Sequence, residues 1–197
     1  MGTSLAAAGS PVRVDWRSLV VTSLRLTWWV WLFPAGLVAA LAFRSLFALD
    51  FVHVMSAILW TGTDLFMGFV IGPVMRRLDV ASRKNVINLL LPRTLFYMPV
   101  IAATTTTAGW YLAQWEGVFR DPTLRPWFIA ALTLALLMFI QGVGLLLPMN
   151  LRVFSLIQQP RPDVDRIRRT MVSFMGLVAW QGILQLGIVF VMVHFVI

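Results

Sequence analysis

One stretch constrains the fold more than any other. Phe51 to Pro73, FVHVMSAILWTGTDLFMGFVIGP, is apolar and long enough to cross a bilayer as a helix. Yet it holds one of the chain's two histidines, His53, and an aspartate, Asp64, near its midpoint. At about 100° per residue His53, Trp60 and Asp64 fall within roughly 40° of one another, and Gly68 and Ile71 continue the line. An apolar helix with one polar stripe turns that stripe toward other helices or a cofactor. Ionisable groups at such depth are costly and are functional candidates by default.

The rest of the chain is of the same kind. Of 197 residues 59% are hydrophobic and 12% charged, with a mean hydropathy of +0.84, more apolar surface than a soluble domain of this size can bury. The expected fold is a single all-α transmembrane domain of five helices, at about 26–47, 51–75, 94–115, 126–149 and 171–196. Residues 1–25 precede it as a small polar tail (1–12) and a segment, 14–24, suited to the membrane interface. A cleaved signal peptide is not expected, because no basic start, apolar core and cleavage site follow one another there.

Local features place the ends. Trp28, Trp29 and Trp31 read as an aromatic belt at the start of the first span, Pro34 as a kink within it, and Arg44 as a snorkelling cation at its far end. Asp50 is placed to cap the second helix. Arg76 to Asn88 reads as a basic loop leading to Arg93 at the start of the third span. Arg93, Tyr97, Thr104 and Tyr111 share a face of that span. Thr104 lies about 16 Å from its basic end, and Asp64 about 18 Å from Arg76, so their depths match. In the last span Gly176, Trp180, Ile183, Gly187 and His194 form a face with gaps for another helix or a flat ring, and Gln181 and Gln185 lie on a different one.

Five spans put all the basic residues except Arg44, Arg120 and Arg125 on one side. The positive-inside rule makes that side cytoplasmic, with the N-terminus inside and the C-terminus outside. The +8 net charge is therefore topological and does not signal nucleic acid. The run Arg166–Arg169 reads as an anchor to anionic lipid. The expected setting is a bacterial inner membrane.

His53 and His194 then fall at the external ends of the second and fifth spans. Two imidazoles from two helices are the usual ligation of a membrane b-type haem. Arg44 and Arg125, at the same edge, suit its propionates. A plain reading stands beside this one: histidines near an interface also serve as polar anchors. Asp64 reads either as a proton relay or cation determinant, or as a structural carboxyl held by the threonines of the third span. Absence of cysteine excludes disulfides, thiolate metal sites and covalent haem attachment. No residue is assigned a catalytic role.

His53, Trp60-Thr61-Gly62 and Gly72-Pro73 resemble the signature helix of the superfamily that includes the copper-resistance protein D membrane domains and the HemJ-type protoporphyrinogen oxidases. Arg93 is similar to the arginine that opens the next span there. The resemblance covers about residues 50–110. It implies a small helical bundle with a haem-type cofactor ligated at His53. The HemJ-type enzymes carry a lysine within a span, whereas the only lysine here, Lys84, lies between spans. The functional expectation is haem-b electron transfer, with Trp60 beside the cofactor and other membrane redox subunits or quinone as partners. The alternatives are a copper or small-solute transporter with Asp64 and Met67 in its path, and a cofactor-free accessory subunit.

Overall fold

The computed structural model describes residues 15–159 and 163–195. Residues 1–14, 160–162 and 196–197 lie outside the described residues. The chain is all-α: α1 (Trp16–Leu26), a 3-10 turn (Trp28–Trp31), α2 (Leu32–Ala42), α3 (Leu46–Phe66), α4 (Gly72–Arg77), α5 (Val80–Trp115), α6 (Arg125–Gln141), α7 (Leu147–Ile157) and α8 (Val164–Val193). π-helical segments, Met67–Ile71 and Gly142–Leu146, join α3 to α4 and α6 to α7 without a break. Each precedes a proline, Pro73 or Pro148. Proline has no N–H and its ring meets the carbonyl four residues back, so the helix widens by one residue and continues.

The result is four helices long and apolar enough to cross a membrane: Leu46–Arg77, Ala81–Trp115, Arg125–Ile157 and Val164–Val193. This is a membrane protein. A fifth crossing exists only if α1 and the helix at Trp28–Ala42, bent by 65° from each other, count as one broken span. The first span expected at 26–47, with a kink at Pro34, is instead helical over Trp28–Ala42, and the bend falls before Trp28 at the junction with α1. Pro34 sits in the first turn of α2, where a missing N–H is harmless, and its ring bars α2 from extending back through Val30. α1 instead buries Leu19 and Ser23 and exposes Trp16, Val20, Val21 and Leu24.

Three further boundaries differ from the sequence reading. α2 ends at Phe43 in a Schellman turn, with Ser45 N–H bonded to the Ala40 carbonyl (3.0 Å) and Arg44 in the left-handed region at φ 51°. Arg44 is therefore the turn residue and not the end of a helix. The cap of α3 is Ser45, whose hydroxyl accepts the Ala48 N–H (3.2 Å), and Asp50 lies inside α3. The basic segment 76–93 is largely helix: α5 starts at Val80, capped by Asp79. Arg83 turns back and donates to the Met75 and Leu78 carbonyls (3.1 and 3.0 Å), which satisfies the C-terminus of α4.

α3 and α5 are the central antiparallel pair. Leu19, Met75, Ile87, Leu91, Phe154 and Ile167 cluster at one end, so α1, α4, α5, α7 and the start of α8 bring their basic flanks together. The middle is filled by Val30, Trp60, Tyr97, Ile101, Met138 and Leu184. The opposite end is filled by Leu37, Leu49, Val52, Ala108 and Leu112. Large apolar side chains such as Phe43, Phe47, Phe69 and Val172 remain well exposed on the outside of the bundle, where lipid would cover them.

Candidate functional site

α3 turns Leu49, Val52, Ser56 and Trp60 inward, the 3.6-residue spacing of a buried face. His53 and Asp64 flank this face and reach different neighbours.

His53 packs against α5. Its Nδ1–H donates to the Thr105 carbonyl (2.9 Å). A carbonyl accepts only from a protonated nitrogen, so in the neutral ring the proton sits on Nδ1 and Nε2 keeps its lone pair. Thr105 frees no backbone group by accident: its hydroxyl bonds back to the Ile101 carbonyl (2.9 Å). The ring fits because residue 109 is glycine. A Cβ there would stand 2.8 Å from His53 Cε1. An Nδ1–H held by a backbone carbonyl is the usual support of a ligating histidine.

His194 lies just past α8, exposed, with its ring stacked on Trp127 of α6 (centroids 3.6 Å apart, planes at 29°). Trp110 of α5 meets Phe128 at 5.9 Å, so the start of α6 adjoins the end of α5 and both histidines occupy the end of the bundle away from the basic flanks. They lean on different helices. Neither lines either of the two principal cavities. Arg44 and Arg125 are exposed at the same end, whereas Arg93 is exposed on α5 and donates to its own helix at the Leu89 carbonyl (2.7 Å). Among the described residues no group of three or more His, Asp or Glu side chains converges as a metal site.

Asp64 is held by α8. Gln185 Nε2 donates to Asp64 Oδ2 (2.5 Å). The threonines of α5 do not serve it. Thr104 is buried, with its hydroxyl on the Val100 carbonyl (2.8 Å). Thr63 meets Tyr97 (2.9 Å), so Asp64 is level with the residues around Tyr97, and Thr104 is about two turns farther along α5. The depth match failed because α5 starts well before Arg93.

Trp60 is likewise 6% exposed and lines the cavity at the Asp64 end of the stripe. Below Asp64 a cavity of ≈ 200 Å³ runs between α3–α4, α5, α6–α7 and α8, from Trp60, Thr63, Asp64 and Gln181 to Asn150 near the basic end. Both π segments contribute to its wall through Met67, Ile71, Gly142 and Val143.

The residues that the sequence reading missed are Gln181, Gln185, Thr105 and Gly109. Gln181 and Gln185 are 2% and 0% exposed, whereas Trp180 and Ile183, on the face chosen for its glycines, are more than half exposed. The signal was present: an amide in an apolar span must turn inward to find partners, while a glycine is content on either side. No family model matches the chain, and no curated protein or solved structure matches it.

Proposed function

We propose that the protein is an integral membrane b-type haem protein of electron transfer, with His53 supplying Nε2 as an axial ligand. The observation that carries this reading is the fixed imidazole: Nδ1 bound to the Thr105 carbonyl and the ring seated over Gly109. The resemblance of His53, Trp60-Thr61-Gly62 and Gly72-Pro73 to the copper-resistance protein D and HemJ-like superfamily supports it. His194 is the second ligand in this reading, and Arg44 and Arg125 pair with the propionates as guanidinium–carboxylate contacts. Haem, when bound, supplies a one-electron couple. The chain's part is to orient the imidazole and hold its proton on Nδ1. The basic end faces the cytoplasm by the positive-inside rule, in a bacterial inner membrane, and a membrane redox subunit or quinone is the electron partner.

A reduced-minus-oxidised visible spectrum of protein purified from haem-supplied cells is the test. A b-type α band is expected in the wild type and lost in His53→Ala. Its loss in His194→Ala as well identifies bis-histidine ligation, and its survival there assigns the second ligand elsewhere. Colourless wild-type protein sinks the haem reading, and stoichiometric copper in that preparation favours a copper carrier.

A further inference from the structure

The polar end of the cavity between α3, α5 and α8 is lined by Thr63, Asp64 and Gln181. Tyr97 donates its hydroxyl proton to the Leu59 carbonyl (3.0 Å), so at the Thr63–Tyr97 contact it is Thr63 that donates (2.9 Å). Thr63 Oγ1 therefore offers the cavity only lone pairs. The Gln185 amide nitrogen donates to Asp64, and Gln181 Oε1 and Gln185 Oε1 are buried with no hydrogen-bond partner. Flipping the Gln185 amide would aim its oxygen at the carboxylate, so Asp64 sets its orientation. A buried acceptor left unsatisfied is costly. Gln181, which lines the cavity, is 2% exposed. The only ion pair among the described residues is Arg168–Asp165 on the surface, so no cation of the protein reaches Asp64. What would complete this end of the cavity carries positive charge and several N–H donors.

The remainder of the cavity is apolar. Met67, Ile71, Met75, Leu91, Leu95 and Met98 line it, and methionines adapt to varied shapes. Its volume, ≈ 200 Å³, exceeds that of a cavity that holds benzene, about 150 Å³.

We propose that this cavity binds an amphiphilic primary amine, its ammonium group donating to Asp64, Gln181 Oε1 and Thr63 Oγ1 and its apolar body lying along Met67, Ile71 and Met98. A neutral alcohol has one donor and no charge for Asp64. A quaternary ammonium has charge and no donor. The site lies eleven residues, about 16 Å, along α3 from His53, and the proposal stands whether or not haem binds there.

The test is saturable binding to the protein in lipid nanodiscs, by calorimetry against empty nanodiscs, with 4-phenylbutylamine, 4-phenylbutanol and (4-phenylbutyl)trimethylammonium. The amine is expected to bind at least about tenfold more tightly than either analogue, the loss expected when a charge or a set of buried hydrogen bonds goes unmatched. Asp64→Asn, which keeps the shape, should weaken the amine about tenfold or more, and Gln181→Leu about threefold to tenfold. Equal affinity for amine and alcohol overturns the proposal, because the cavity is then merely greasy. So does an Asp64→Asn protein that binds the amine as well as wild type, or the absence of saturable amine binding by the wild type. The ligand series is read on the wild type, so a variant that fails to fold does not blunt the test.

Discussion

Single atoms decide the environment of His53. At Gly109 one added methyl group would meet an imidazole that a hydrogen bond to Thr105 holds in place. Gly109→Ala should therefore cost about 1–3 kcal/mol, the range for overpacking, measured by denaturant unfolding in detergent. The same variant should shift or remove any haem band. Gly72→Ala makes a useful contrast, since its Cβ would press on the end of a flexible methionine, Met175, which can swing away. Arg44 is a second position where one residue sets local strain. It occupies the left-handed C′ site of α2, which glycine fills without penalty, as Gly117 does at φ 76° after α5. Arg44→Gly should raise stability by about 0.5–1 kcal/mol in thermal unfolding. If Arg44 also holds a propionate, haem affinity in that variant falls while stability rises. A joint fall in both would show that the arginine is structural.

At the scale of the helix, the ends are set by caps and the middles by prolines. Asp79 starts α5 by accepting the Ser82 N–H (2.9 Å) and hydroxyl (2.7 Å). These bonds, led by the backbone N–H, hold its carboxyl below the usual carboxylate range. A depressed native value means that the stabilisation is complete above the ordinary value of about 4 and is lost as pH falls through the native one. The thermal midpoint of wild type should exceed that of Asp79→Ala at pH 7, and the gap should close toward pH 3. A gap independent of pH would show that the charge of the cap is irrelevant. Along the helices, Pro73 and Pro148 follow the two π segments, and Gly68 and Gly72 lie against Val178 and Met175 of α8. The widened turn and the small residues together bring α8 close enough for Gln185 to reach Asp64. Helix existence and type could be read from apolar periodicity. The extents of α2 and α5 could not, because a basic run such as Arg76–Arg93 looks like loop when its outward side chains are counted and its caps are not.

For the whole molecule, the basic flanks gather at one end, and the positive-inside rule predicts that this end is cytoplasmic. Single cysteines are easily placed in a chain without any. Ser82→Cys at the basic end should resist a membrane-impermeant maleimide in intact cells, and Thr123→Cys at the other end should react. The reverse pattern would invert the topology and put His53 in the cytoplasmic leaflet. Composition and local periodicity are enough to make the chain an all-α membrane protein, to show which end is basic and to mark α3 as the helix with a polar stripe. Which partner each polar group meets was decided by tertiary structure alone. Asp64 pairs with Gln185, 121 positions away, and His53 with Thr105, 52 away. Such pairings depend on where α5 begins, how far Pro73 widens the helix and which face of α8 turns inward. The stripe on α3 is thus two sites, one at His53 against α5 and one at Asp64 against α8, and only packing separates them.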